Sequence, residues 1–413
     1  MKEIETTSDN LEIRCFGDLA QVREAWHCLE AQGAATTIYQ SWEWVSAWHR
    51  HLISSAAGKR AQVVIVEVLA GEHTVALLPM MIRREKGVRI LSWLGDSHFN
   101  FPGGLFQAYF LQGLDRTSFQ RLWRRIGKAL PAYDVAWFTS QLPQLDDADS
   151  PMQWLQRRPS PNSAHRLVFE HHDWQKLLTE LRSRSTRKRM RNEESRLSRE
   201  GEVVFEEVSS EQALEAAVEA VFRQRERRFR ALGIPLEPRM ADYQRFYHSL
   251  LQQSLHAANP SSRFYLLLLK LDGELLASLL IAEKDGVVYP LINSMTTSRY
   301  SRWSPGDYLL RHLIADACER KMVAIDFGLA EDNSYKTAWC NRRIEIYETI
   351  HGNGLYGKAV AFVIIGRTTL ARRIKQSPRA WAWYQFFRSL KTDGVMNSDW
   401  KNSFQKLLRA THG

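Results

Sequence analysis

Three apolar runs, Val63–Leu69, Val75–Ile82 and Arg89–Leu94, are parted by Ala70-Gly71-Glu72 and Lys86-Gly87. β-Branched and aliphatic residues interrupted by charged glycine turns predict a three-stranded meander. The pattern returns at Phe264–Leu271, Leu275–Glu283 and Val287–Asn293, with turns at Asp272-Gly273-Glu274 and Asp285-Gly286. Side by side, VIVEVLAGEHTVALLPMMIRREKGVRIL and LLLLKLDGELLASLLIAEKDGVVYPLI read as an internal duplication, hence as two similar halves.

Helical periods surround each meander. Asp18–Gln32 and Ser41–Leu52 precede the first, and Thr117–Leu130 follows it, leading to a strand over Tyr133–Phe138. In the second half a long Arg-rich helix over Asp173–Gly201 runs into a strand over Val203–Val208. Ser209 and Gln212 form a capping-box pattern for a helix reaching Leu232, and another helix spans Ala241–His256. Pro305–Arg320 is helical and feeds a strand over Val323–Phe327, while Gln144–Asn162, rich in Asp, Pro and Ser, reads as a connector. The predicted fold class is α/β: two tandem domains over 10-160 and 165-352, each a mixed twisted sheet flanked by helices, and a C-terminal helical segment over 353-413.

Composition adds little to that picture until charge is mapped. The 413 residues are 44% hydrophobic and 25% charged, as in ordinary globular proteins. The polar start MKEIETTSDNLEIR is not a secretory signal, and no apolar run reaches the length of a spanning helix. Four cysteines, Cys15, Cys28, Cys318 and Cys340, lack zinc spacing, and no histidine pair has ligand spacing, so no metal is expected. These features predict a cytoplasmic protein. The net charge of +10 is uneven: Arg182–Arg199 holds 8 Lys/Arg against 2 Asp/Glu, and Leu355–Gly413 holds 11 against 2. Two basic segments on a mildly acidic body suggest anionic partners. In the second, Trp381, Trp383, Tyr384, Phe386 and Phe387 lie among arginines, which suits either peripheral contact with an anionic membrane or a helical pair docked on the second domain.

One helix start carries chemistry. Pro305 suits the first helical turn and Gly306 admits close approach, so the amides and dipole of that turn can hold a phosphate. Asp326, at a strand end before Phe327-Gly328, is a candidate general base, and Tyr300, just before the Pro-Gly loop, a candidate general acid.

Six stretches in order resemble the CelD/BioF-type acetyltransferase-like family, a branch of the GNAT superfamily related to the FemAB aminoacyltransferases. They are YQSWEWVSAW, ALLPMMIRR, RKRMRNEESRLSREG, DGELLASLLI, SRWSPGDYLL and DFGLAEDNSYKTAW, within about residues 10 to 350. The resemblance implies two tandem GNAT-like folds and acyl transfer, often in extracellular polysaccharide synthesis. It implies acyl-CoA (acetyl-CoA) as co-substrate, its pyrophosphate on the loop Arg302, Ser304, Gly306 and Asp307, although Asp307 sets a negative charge near an anion. It implies an oxyanion-stabilising backbone N–H on a splayed strand around Leu291–Met295, with Tyr335 and Lys336 on the acceptor side. Glu43 and Trp44 match an element facing the cleft between domains. Ala330 stands where the family usually has Gly, and Tyr335 falls a residue late.

The expected function is therefore transfer of an acyl group from acyl-CoA to a sugar or polysaccharide precursor, in the cytoplasm or peripheral at the inner membrane. Two alternatives stay open: a Fem-like transferase using aminoacyl-tRNA, which the Arg182–Arg199 run favours, and a non-catalytic GNAT-like accessory of a polysaccharide synthase.

Overall fold

The computed structural model describes residues 10–53, 61–95, 98–145, 148–237, 239–257, 262–330, 336–377, 379–380 and 383–384. Twelve longer strands build one sheet. They are β1 (Leu11–Phe16), β2 (Ala61–Ala70), β3 (His73–Glu85), β4 (Val88–Trp93), β5 (Val135–Gln141) and β6 (Arg157–Val168), then β7 (Val203–Glu207), β8 (Arg263–Leu271), β9 (Glu274–Lys284), β10 (Val287–Met295), β11 (Ala324–Ala330) and β12 (Arg342–Gly352). Their order is β1-β2-β3-β4-β5-β12-β6-β11-β10-β9-β8-β7, and a short strand, Leu105–Phe106, pairs off β3. The principal helices are α1 (Arg23–Ala31), α2 (Trp42–Trp48), α3 (Arg116–Ala129), α4 (Trp174–Leu181), α5 (Arg184–Glu200), α6 (Glu211–Ala231), α7 (Met240–His256), α8 (Pro305–Glu319) and α9 (Gly354–Gln376).

The duplication read from the two meanders is present in the topology. In the first half β1 to β4 run antiparallel and α3 crosses over to β5, which pairs β4 in parallel. In the second half β7 to β10 run antiparallel and α8 crosses over to β11, parallel to β10. Even the irregularities repeat. Each first hairpin carries a register shift just before its turn, at Val68/Leu69 and at Leu269/Lys270. The turns Lys86-Gly87 and Asp285-Gly286 both hold two residues at positive φ, the conformation that matches strand twist in two-residue hairpins.

The halves are not separate sheets, however. β6 follows β5 in the chain but pairs antiparallel with β11, and β12 follows β11 but pairs antiparallel with β5. β6 and β12 also pair with each other. Each half thus lends its last strand to the other, which leaves no sheet edge between them. For this reason the stretch read as a connector, Gln144–Asn162, already contains the start of a central strand at Arg157. The single helix expected over Asp173–Gly201 is two: Arg182 is extended, and Ser183 caps α5 by accepting from the Thr186 amide at 3.2 Å. The cap of α6 is Ser210 and not Ser209, its hydroxyl accepting from Ala213 N–H at 3.3 Å.

The largest apolar cluster crosses the boundary. Trp44 of α2 is fully buried against Phe246 and Tyr247 of α7 and Phe264 of β8, as well as Tyr39 and Phe99 of its own half. Among the described residues no helix is long and apolar enough to cross a membrane.

Candidate functional site

β10 and β11 are joined only at Val287↔Ala324 and Val288↔Ile325, after which they part. The opening leads to a cavity of about 580 Å³. One wall is Asn293, Ser294 and Met295 of β10; another is Ser304, Gly306 and Asp307 at the start of α8. Arg182, Arg189, Arg225 and Arg228 line it further, with Glu193 among them, together with the apolar Met190 and Phe229. Cationic groups around a helix N-terminus, backed by thioether and aromatic surface, suit a ligand with phosphates at one end and an apolar arm at the other.

The helix start is shaped for approach. Ser304 adopts the left-handed conformation (φ 50°, ψ 50°) and its side chain makes no cap bond. Such strain in a non-glycine residue costs of order 1 kcal/mol and tends to persist where function fixes it. The amides of Asp307 and Tyr308 both donate back to the Ser304 carbonyl, at 3.0 and 3.1 Å. Pro305 has no N–H, so the first amide of the helix is that of Gly306, which donates to no turn or loop carbonyl among the described residues. A Cβ on Gly306 would lie 3.3 Å from Met295 Sδ, so anything larger narrows the cavity.

In the first half the gap between the parting strands is nearly filled, and the open space is instead a groove of about 440 Å³ beside the start of α3, lined by Arg116, Gln120, Arg124, Ala136 and Phe138. β4 and β5 also pair at only two positions, Ile90↔Val135 and Leu91↔Ala136. There the space beyond, lined by Trp93, Phe106, Gln141 and Met152, amounts to about 20 Å³. Asp115 caps α3, its carboxylate accepting from Ser118 N–H at 2.7 Å. A carboxylate on that mouth excludes a phosphate.

The Acetyltransferase (GNAT) domain family matches residues 184–337, the stretch that holds α5 to α8 and all of the cavity lining except Arg182 and Ala338. That match likens this stretch of the second half to a GNAT acetyltransferase domain. The chain thus carries the catalytic fold of a GNAT-type acyltransferase. Among solved structures it is similar to FemX, at 11% identity and a TM-score of 0.52, over 84% of this chain and 100% of that one. It is also similar to a conserved protein of unknown function from Bacteroides thetaiotaomicron (9% identity, TM-score 0.48, 82% of this chain and 99% of that one). A third likeness is to a tandem GNAT protein from the clavulanic acid biosynthesis pathway (12% identity, TM-score 0.43, 83% and 99%). At these identities the likeness is one of fold. No curated protein matches the sequence.

Within the GNAT domain the expected residues scatter. Gly306 and Ser304 line the cavity, as do Asn293 to Met295, the splayed stretch proposed to offer an oxyanion donor. Asp307 lines it too, but its carboxylate accepts from Trp339 Nε1 at 3.1 Å and from Arg311 Nε at 3.2 Å. Its charge is thereby spent on tying the Tyr-Lys-x-x-Trp step to α8, which answers the objection to an acid beside an anion. Burial raises its pKa, against the pull of Trp339 and of Arg182 and Arg189. Arg302 is exposed over the Trp303 ring, and the Tyr300 hydroxyl accepts from Arg299 Nη2 at 2.9 Å; neither lines the cavity.

Asp326 is sealed in. One oxygen accepts from Arg166 Nε of β6 at 2.5 Å, the other from Gly328 N–H at 2.7 Å. Burial raises its pKa, Arg166 opposing. It fixes the exchanged strand β6 to β11, a positioning task that leaves it poorly placed to take a proton from an acceptor. Trp44 is core and not a substrate contact, because its ring is enclosed by aromatics on every side. Glu43 faces a different groove, with Glu30 and His27. Tyr335 lies outside the described residues.

Lys336 is the expected residue that gains most. It is largely buried, and burial first, then the Arg225 cation, lower its pKa. Ala338, two residues on, lines the cavity. Sequence reasoning missed Arg225 and Arg228, whose helix carries arginine on several sides, so no pattern marks these two. It also missed His98. Its Nδ1 lies 2.8 Å from the Tyr247 hydroxyl and its Nε2 3.1 Å from Glu237, with the ring stacked on Tyr243 at 3.7 Å. Glu237 has its pKa lowered by that hydrogen bond, and Arg225 contributes to the lowering, so the His98 pair and the arginine cluster share one neighbourhood.

Proposed function

We propose that the protein transfers an acyl group from acyl-CoA to an amine or hydroxyl of a phosphorylated sugar or polysaccharide precursor, as a CelD/BioF-type member of the GNAT superfamily. The observation that carries this reading is the arginine-lined cavity at an uncapped helix mouth, beside strands that part. The phosphates of the donor bind Arg182, Arg189 and Arg228 and the Gly306 amide; Met190, Met295 and Phe229 accommodate the pantetheine arm. Arg182 Nε is buried with no hydrogen-bond partner among the described residues, a donor waiting for an acceptor.

In this reading a backbone N–H of β10, beyond the point where it parts from β11, stabilises the carbonyl oxygen as it gains charge. The acceptor nitrogen or oxygen bonds to the thioester carbon and sheds its proton to a base, and the thiolate leaves to be protonated. Lys336 and Arg225, whose charges act on each other, recognise the acceptor's phosphate. His98, with both ring nitrogens engaged by Tyr247 and Glu237, joins the two halves and does not take that proton. Arg184, Lys188 and Arg191, exposed along α5, favour a second reading in which the donor is an aminoacyl-tRNA. We place the activity in the cytoplasm, at the inner face of the membrane.

Coenzyme A is expected to raise the melting temperature, and Gly306→Glu, which adds bulk 3.3 Å from Met295 and a negative charge at the mouth, to abolish the rise. The absence of any shift with coenzyme A or acyl-CoAs, alongside salt-sensitive tRNA binding, would select the second reading.

A further inference from the structure

α9 is docked by one face only. Gly357, Ala361 and Ile364 are buried against Val135 and Ile350, and Lys375 Nζ donates to Asn162 Oδ1 at 2.6 Å. The opposite face is apolar and open. Leu355 is 86% exposed and Phe362 78%, with Tyr356, Val363 and Leu370 each at 59%. At about 100° per residue, Leu355, Phe362, Val363 and Leu370 fall within an arc of about 100°. Lys358 borders that arc on one side, Arg367 on the other, and Arg373 stands at its end. The 23 residues of α9 contain five Lys/Arg and no Asp or Glu.

We propose that this outer face lies on an anionic lipid surface, with the helix in the plane of the headgroups. Aliphatic and aromatic side chains enter the acyl boundary while the bordering cations meet lipid phosphates. Charge decides among occupants. A second copy of α9 would set cation against cation with no carboxylate to relieve them. The chain beyond Tyr384 carries Arg388, Lys391, Lys401, Lys406 and Arg409 against Asp393 and Asp399, so it too has the wrong sign to cover the face. A nucleic acid would satisfy the cations but leave Phe362 and Leu355 in water. The inference stands apart from acyl transfer, because no residue of the cavity belongs to α9.

The test is flotation of the full chain with vesicles of phosphatidylcholine alone or mixed three to one with phosphatidylglycerol. Binding is expected to the mixed vesicles, to fall with added salt, and to be absent on the neutral ones. Phe362→Asp should lower partitioning at least about tenfold, and the pair Lys358→Glu, Arg367→Glu by about tenfold or more. These positions are exposed, so melting temperature and the coenzyme A shift should not change, which keeps a failure here distinct from a failure of the transferase reading. Full-length protein that stays with the aqueous phase, flotation equal in wild type and both variants, or a dimer in solution that Phe362→Asp dissolves would each overturn the proposal.

Discussion

Trp44 tests whether the cleft between the halves is core or substrate site. Its ring is fully buried, 5.0 Å from Phe246, 5.2 Å from Tyr39 and 5.7 Å from Phe99 between centroids. Burying an indole removes roughly 200 Å² from water, worth about 5 kcal/mol at ~25 cal/mol per Å². Measured Trp→Ala costs in cores of about 3–5 kcal/mol agree. With an unfolding entropy near 2.1 cal/mol/K per residue, a chain of this length loses roughly 1 °C per kcal/mol, so Trp44→Ala should melt about 4 °C lower. Trp44→Phe differs in kind. The indole N–H is buried without a hydrogen-bond partner among the described residues, a cost of about 1–3 kcal/mol that phenylalanine removes. The volume lost costs about the same, so the substitution should be nearly neutral. Calorimetry on the two variants, with CoA-release kinetics in parallel, decides the matter. A Trp44→Ala protein that melts like wild type yet loses acceptor turnover would refute the packing argument and restore Trp44 to the substrate.

Two further outcomes are expected. Burial first, then Glu43, raises the pKa of Glu30 to about 7, so the folded protein holds a proton that the unfolded chain releases between pH 4.5 and 7. Stability should therefore fall as pH rises across that window, by up to about 3 kcal/mol, and Glu30→Gln, which keeps an acceptor for the Trp42 amide, should flatten the profile in denaturant titrations. Lys336→Met should leave coenzyme A binding unchanged but raise KM for a phosphorylated sugar about 10- to 100-fold, the worth of one charge-assisted hydrogen bond; an unchanged KM would remove Lys336 from the acceptor side.

The meanders and crossover helices were legible because local patterns decide them. Alternation, charged Gly turns and the Pro305-Gly306 start carry their own reasons. The exchange of β6 and β12 was not legible. Which strand a segment pairs with depends on edges built hundreds of residues away, and Arg157–Val168 begins with RRPSPNS, a turn-like composition that only a central position overrides. The site divides along the same line. Gly306, Ser304 and Lys336 sit in motifs, whereas Arg225, Arg228, His98 and Glu237 come from separate elements and meet only in space. Asp326 was found as a carboxylate at a strand end. Its partner Arg166 could not be, since it belongs to the exchanged strand.

Duplication followed by strand exchange also leaves the two halves unlike at their parting strands. The first half caps α3 with Asp115 and fills the gap between its strands, and it meets the second half through the segment carrying His98 and Asn100. Asn100 Nδ2 donates to the Tyr39 hydroxyl at 2.5 Å, and its Oδ1 accepts from Leu329 N–H at 3.3 Å, at the end of β11. Gly328 permits that contact. Its φ is +68°, and a Cβ there would lie 2.3 Å from Asn100 Nδ2, so a side chain would force the loop away from the strand. The glycine of Asp326-Phe327-Gly328 is therefore where the silent half closes on the open one. The motif's acid and its glycine both act on the join between halves, Asp326 through β6 and Gly328 through its close contact with Asn100.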